Sequence, residues 1–262
     1  MVNMTNKDSL ISDQYKDSKN LDVRSYLHSK FSTNKYGWGK WIFDQLIIED
    51  NAKILELGCG NGKLWSSNSG RIRTGWDITL SDFSTGMIAK AKSNINNDNF
   101  KYMQIDAEVI PFEDNSFDVI IANHMLYHLP NRNKALLEIR RVLKDGGRFF
   151  ATTLGVNNVF ELEQLVNSID QSLNYPKTAE QINFNLENGE NELSKYFSNV
   201  EIRRYEDSLT VTESKPLVDY ILTITGTIDG KKLEDLSMYI EKSIKEKGSI
   251  HITKDAGMFI AY

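Results

Sequence analysis

Cysteine is nearly missing from this chain: Cys59 stands alone among 262 residues. That excludes an intramolecular disulfide and fits a reducing compartment, so a cytoplasmic location is expected. Long apolar runs are missing as well. No stretch approaches the length that spans a bilayer, and residues 1–20 are polar with no apolar core of a secretory signal, so no membrane role is expected. A basic excess is also lacking. The formal net charge is −5, and the basic pairs are small and scattered: Arg71 with Arg73, Arg140 with Arg141, Arg203 with Arg204. A protein that neutralises many phosphates usually carries basic clusters, so nucleic acid is a disfavoured partner. Internal repeats, low-complexity tracts beyond the first twenty residues and Pro/Gly/Ser linkers are absent too.

The chain does carry an ordinary apolar content, 40%, enough to bury a full core in one domain of this length. Its middle alternates short apolar runs with helical patterns, which argues for βαβ units and a parallel sheet. Strands are expected at 52–57, 76–82, 100–105, 117–122 and 148–154, the last after a turn at Asp145-Gly146-Gly147. The consecutive Val119, Ile120 and Ile121 fit a strand buried on both faces. Ser84 and Asn131 are placed to cap the intervening helices. A helix is expected at 36–48 ahead of the sheet. After Leu154 the pattern predicts helices at 159–173, 186–197, 216–224 and 233–247, with strands at 199–211 and 249–262. The late helices read as additions around the sheet.

The sharpest local signal is Ile54-Leu55-Glu56-Leu57-Gly58-Cys59-Gly60-Asn61-Gly62, a buried strand running into a glycine turn that opens a helix. Glycines permit positive φ and let a ligand approach the backbone. The spacing is G-x-G-x-G, whereas dinucleotide enzymes use G-x-G-x-x-G; here Lys63 holds the place of the third glycine. Glu56, two residues before the first glycine, suits a cationic ligand better than an anionic one, reaching its ammonium through water or organising the loop amides. Three further segments follow at ordered intervals: Ser81-Asp82-Phe83-Ser84-Thr85-Gly86-Met87, Gln104-Ile105-Asp106-Ala107 leading to Pro111-Phe112, and Leu143-Lys144-Asp145-Gly146-Gly147.

Over residues 53–154 these motifs resemble the class I S-adenosylmethionine-dependent methyltransferases of the small-molecule type. The resemblance implies an α/β, Rossmann-like, mostly parallel seven-stranded sheet with helices on both faces and added cap helices. It implies a single methyltransferase domain over 1–262, with an N-terminal cap segment at 1–50, a cofactor-binding core at 51–154, and remaining strands with inserted substrate-lid helices at 155–262. The implied cofactor is S-adenosyl-L-methionine. Asp82 would accept from both ribose hydroxyls, Phe83 and Met87 would touch the adenine, Asp106 would accept from the adenine amino group, and Ala107 would offer its backbone N–H. Glu56, Gly58, Cys59, Gly60 and Asn123 complete the expected cofactor set, with Trp38 as a wall. Cys59 itself reads best as a small residue of the loop. Asp145 departs from the family's usual proline, which a turn tolerates.

A sulfonium methyl is already activated, so such a protein mainly aligns donor and acceptor. In this fold the residues after strand four face the methyl: Asn123-His124-Met125-Leu126-Tyr127-His128. His124 is the best candidate base, because histidine ordinarily titrates near neutrality; Tyr127 is the second candidate. His128 reads as a packing or capping residue. The His124 and His128 pair has metal-like i, i+4 spacing but no third ligand in view, so no metal is expected. Tyr15, Tyr26, Tyr36 and Trp38 are candidate walls, and Trp41 reads as a packing residue. The expected reaction is methyl transfer to N or O of a small-molecule acceptor inside an enclosed pocket. An RNA or protein methyltransferase, a non-catalytic S-adenosylmethionine-binding protein and a nicotinamide oxidoreductase stand as alternatives. The sequence carries no signal for oligomeric state.

Overall fold

The computed structural model describes residues 19–169, 183–226 and 228–262. Seven strands form one sheet in the order β3-β2-β1-β4-β5-β7-β6: β1 Lys53–Leu57, β2 Asp77–Asp82, β3 Phe100–Gln104, β4 Phe117–Asn123, β5 Leu143–Leu154, β6 Val200–Val211 and β7 Ile250–Ala261. The pairings β1·β2, β1·β4, β2·β3 and β4·β5 are parallel. Strand β7 runs antiparallel between β5 and β6, so the sheet is mixed. Strand order reverses between β1 and β4. In open α/β sheets that reversal opens a crevice at the carboxyl ends of the strands.

The residues dictate this arrangement. Val119 and Ile121 on one face of β4 and Ile120 and Ala122 on the other are all buried, as a central strand with helices on both sides requires. One face packs Leu55, Ile120 and Phe149 on Leu136 and Ile139 of the helix Arg132–Val142. The opposite face packs Ile54, Ile121 and Phe150 with Ile42 and Phe43 of the helix Trp38–Gln45 and Ala91 of the helix Thr85–Ile95. Asn131 and Ser84 cap the two later helices, as their positions predict: Asn131 accepts from Lys134 N at 3.1 Å and Ser84 from Met87 N at 3.3 Å. In chain order the helices are α1 Lys19–Phe31, α2 Trp38–Gln45, α3 Lys63–Ser66, α4 Thr85–Ile95, α5 Arg132–Val142, α6 Phe160–Ile169, α7 Gly189–Leu193, α8 Ser214–Thr225 and α9 Gly230–Lys247.

Three sequence expectations need correction. The helix expected at 186–197 is reduced to α7. Asn185 and Asn188 bond each other's backbone N–H groups through their side-chain oxygens, and that turn competes with helix start. The turn expected at Asp145-Gly146-Gly147 lies inside β5. There the pairing with β4 shifts between Phe117↔Leu143 and Val119↔Arg148, and Gly146 supplies φ +74° within the bulge. The helix expected at 36–48 is α2 alone, entered through Gly37 at φ +92°. The helix expected at 159–173 is observed as α6, and its remainder lies outside the described residues.

A second core lies beyond the sheet's crevice. Leu154, the end of β5, pairs with Ala256, so Ile250–Asp255 of β7 and Glu206–Val211 of β6 continue past it as a two-stranded ribbon. Six residues at about 3.3 Å each carry that ribbon roughly 20 Å further. Leu209, Val211 and Ile252 on it are fully buried by Leu27 of α1, Leu162 and Val166 of α6, Leu217 and Ile221 of α8, and Leu236 and Ile240 of α9. The late helices therefore form a cap on the side to which the parallel strands point.

Candidate functional site

The glycine turn after β1 is fixed from two sides. Cys59 N donates to Ser81 O at 2.8 Å, and Gly60 N donates to Asp82 Oδ2 at 3.0 Å. Asp82 Oδ1 accepts from Ser84 N at 2.8 Å. Asp82 thus joins the turn after β1 to the start of α4. Burial pushes its carboxyl upward, against the Ser84 and Gly60 N–H groups that favour the charge. With three backbone N–H groups, of Ser84, Gly60 and Phe83, on about four lone-pair sites, the carboxylate keeps room for a further donor. Asp77, the other carboxylate of the same strand, sits at the strand's opposite end, paired with Lys101 at 2.6 Å.

Gly58 and Gly60 serve different ends. A Cβ on Gly58 would stand 2.9 Å from the Cβ of Met125, so this glycine permits close packing of the turn on the segment after β4. A Cβ on Gly60, at φ +54°, would meet nothing within 4 Å. It faces open space beside Asp82, a cradle that a ligand can fill.

Glu56 departs from one expectation. It does not organise the loop amides; Asp82 does. Its Oε2 accepts from Trp65 Nε1 at 2.6 Å and its Oε1 from Asn123 Nδ2 at 2.9 Å. It therefore ties α3 to the end of β4 from a fully buried position, since Glu56 is 2% exposed and Trp65 0%. Burial raises its carboxyl from the ordinary 4.5 to about 7, against the two hydrogen bonds that oppose the rise. A folded-state value above the unfolded one gives stability that is full below 4.5 and lost as pH rises through 7. The difference corresponds to about 3 kcal/mol. Glu56→Gln is therefore expected to flatten the fall in unfolding free energy between these pH values, measured by urea denaturation. A profile that overlays the parent's would mean that Glu56 does not titrate there.

The segment after β4 is strained where the chemistry is expected. His124 has φ +50°, rare for a residue with a side chain. Thr152 of β5 holds it in place: His124 N donates to Thr152 O at 3.2 Å and lies 3.1 Å from Thr152 Oγ1, which also meets Asn123 Oδ1 at 3.3 Å. The His124 ring lies 5.5 Å from Trp38. Trp38 stacks on Trp41 at 5.1 Å and meets Tyr205 of β6 edge-on at 5.2 Å. An aromatic wall from α2 and β6 thus stands beside His124.

The other expected residues fall as follows. Asp106 follows β3, and the preceding Ile105 N donates to Asp82 O at 3.1 Å; Asp106 Oδ1 accepts from Glu108 N at 3.0 Å. Phe83 is partly exposed, its carbonyl held by Gln104 Nε2, whereas Met87 and Ala107 are buried. Cys59 is packed, and burial pushes its thiol upward, as suits a small residue of the loop. Tyr127 sits in the core beneath the sheet with its ring 4.4 Å from His128 and 6.4 Å from His124. Tyr26 and Tyr36 are about half exposed and do not join the wall. Tyr36 Oη donates to Asp44, and Tyr26 Oη accepts from Lys30. Tyr15 lies outside the described residues.

Trp65, Thr152 and Tyr205 were not anticipated. Trp65 carries a faint signal, one helical turn past the glycine loop. Thr152 and Tyr205 carry none, since only strand pairing brings them to the site. Among the described residues no group of three His, Cys, Asp or Glu is placed to hold a metal ion, and no helix is long and apolar enough to cross a membrane.

Residues 55–151 match the profile of a protein family described as "Methyltransferase domain". The chain is 32% identical over 115 residues to a ubiquinone/menaquinone biosynthesis C-methyltransferase of Pectobacterium carotovorum, covering 42% of this chain and 46% of that protein. It is 34% identical over 122 residues to a sterol 4-C-methyltransferase of Caenorhabditis elegans, covering 46% of this chain and 36% of that one. The matched stretch spans about half the length of such relatives or less. Among solved structures, Haemonchus contortus phosphoethanolamine N-methyltransferase 2 in complex with S-adenosyl-L-methionine shares the fold at TM-score 0.60 and 20% identity, covering 100% of this chain and 60% of that one.

Proposed function

We propose, from the premise that residues 55–151 form a class I S-adenosylmethionine-dependent methyltransferase domain, that the protein transfers a methyl group to nitrogen or oxygen of a small molecule enclosed between the sheet and the cap. The cofactor supplies a methyl already activated on a sulfonium. The Gly60 cradle beside Asp82 suits it, because an open positive-φ backbone next to a carboxylate with room for a further donor matches a ribose diol. In this reading Asp82 binds the ribose, Asp106, Ala107, Phe83 and Met87 form the adenine end, and Glu56 acts indirectly by fixing Asn123. Trp38 offers an aromatic face toward positive charge.

The observation that carries the reading is the position of His124, fixed in a strained conformation at the crevice with aromatic rings beside it and the cap beyond. A histidine so held can take a proton from an incoming N–H or O–H. The cap favours a small acceptor over RNA or protein, which would need an open basic groove. The carbon-methylating relatives support a second reading in which the nucleophile is carbon.

Incubation with methyl-¹³C-labelled S-adenosylmethionine and fractionated small-molecule extract tests both. The carbon shift of the transferred methyl separates N-, O- and C-methyl products. Label found only in macromolecular fractions would overturn the small-molecule reading.

A further inference from the structure

The cap carries a buried polar cluster that folding alone does not explain. Lys254 of β7 and Asp207 of β6 are register partners, with Nζ and Oδ2 2.6 Å apart and side chains 13% and 1% exposed. Asp207 is saturated. It also accepts from Ser32 Oγ at 2.7 Å, Asn34 N at 3.0 Å and Thr33 Oγ1 at 3.3 Å, and so holds the segment between α1 and α2 against β6. Burial works against its charge, but these donors keep the carboxyl below its ordinary value.

Among the described residues the donors are not saturated. An ammonium has three N–H groups and a guanidinium five. Lys254 spends one on Asp207; Arg24 gives Nε and Nη2 to Thr223. His28, one turn after Arg24 on α1, has a solvent-inaccessible Nδ1 with no hydrogen-bond partner among the described residues. An unmade hydrogen bond on a buried polar atom costs about 1–3 kcal/mol, so the atom is a place where a water or a ligand group gains by binding. Tyr220 of α8 packs edge-on against this ring at 5.6 Å. Burial, then the Lys254 charge, lowers His28 to about 3, so its imidazole is neutral.

The cluster adjoins the proposed methyl-transfer site. Lys254 Nζ lies 5.6 Å from the Tyr205 ring centre, and Tyr205 meets Trp38, which in turn faces His124. Ser32, whose N–H donates to His28 O at 3.1 Å, also bonds Asp207, so His28 sits beside the ion pair. Spare donors, a saturated carboxylate and an excess of positive charge from Lys254 and Arg24 over Asp207 match a ligand group that only accepts.

We infer that Lys254, Arg24 and His28 bind an anionic group of the methyl acceptor, a carboxylate or a phosphate monoester, and so set its nucleophile toward His124. This rests on the methyltransferase reading above. The donors act as a positioning set: they fix the end of the acceptor remote from the reacting atom.

The test uses the imidazole ¹⁵N–¹H spectrum of the full chain, which has four histidines, with and without S-adenosylhomocysteine. Inorganic phosphate and benzoate are titrated separately. At least one should shift the His28 resonances saturably. A response to phosphate alone assigns a phosphate monoester, and to benzoate alone a carboxylate. Lys254→Met should weaken that response about 10- to 100-fold, the range for losing one charged hydrogen bond. Because Lys254→Met leaves the buried Asp207 without its counter-charge, Lys254→Met with Asp207→Asn is measured beside it and should lose the response in a folded protein. A His28 that responds to neither anion, or a double variant that binds as the parent does, overturns the inference. Calorimetry with S-adenosylhomocysteine is read independently. Normal cofactor binding without an anion response removes this inference alone, while absent cofactor binding removes the cofactor assignment and leaves the anion titration on the cofactor-free protein to decide this one.

Discussion

Asp82→Ala is expected to weaken S-adenosylmethionine binding by about 3 kcal/mol, a loss of roughly a hundredfold or more. Two effects add. The ribose hydroxyls lose a charged acceptor, and the turn loses the group that holds Gly60 N at 3.0 Å and Ser84 N at 2.8 Å. Asp82→Asn separates them. An amide oxygen can still accept one of those N–H groups, but the charge is gone, so Asp82→Asn should retain more stability than Asp82→Ala while still losing affinity. Asp106→Ala should lose less, because its carboxylate serves the local turn at Glu108 N and, in the proposed reading, one end of the adenine. Calorimetry that finds Asp82→Ala as tight as the parent would remove the cofactor assignment.

The parts of the fold that were legible in sequence are those set by local physics. The consecutive Val119-Ile120-Ile121, the glycine turn after Leu57 and the caps at Ser84 and Asn131 each need only neighbours within a few residues to declare themselves. The mixed character of the sheet was not legible. Residues 199–211 and 249–262 read as strands, but their direction depends on how the cap helices between them turn the chain, which no periodicity encodes. The same holds for the site. Asp82 and Asp106 stand at strand ends, where spacing marks them as candidates. Glu56 is marked by its place before the loop, yet its partners, Trp65 and Asn123, come from an adjacent helix and a neighbouring strand. Tyr205, Thr152 and the Lys254–Asp207 pair reach the site only through pairing of strands far apart in sequence. Tyr26 and Tyr36 show the converse. Aromatic content and the family resemblance marked them as candidate walls, but both lie about half exposed, engaged with Lys30 and Asp44.

His124→Ala is expected to lower kcat about 10²- to 10⁴-fold with an acceptor that arrives protonated, the usual contribution of a general base. With an acceptor already deprotonated the loss should be modest and fall on its KM. A packing role for His124 would predict lost stability with little change in kcat, and the backbone separates the two. At φ +50° His124 occupies a conformation that costs a residue with a Cβ about 1–3 kcal/mol. Thr152 holds it there through the two contacts to His124 N. Glycine adopts that region freely and asparagine tolerates it well. His124→Gly should therefore keep or raise the melting temperature while kcat falls as for His124→Ala, and His124→Asn should hold the parent's stability with the same loss. Strain retained at the crevice is then the cost of aiming an imidazole at the acceptor. If His124→Gly turns over a natural acceptor at the parent's rate, His124 is not the base. Tyr127 would be tested next, although its ring is buried in the core and a change to phenylalanine there should read mainly in stability.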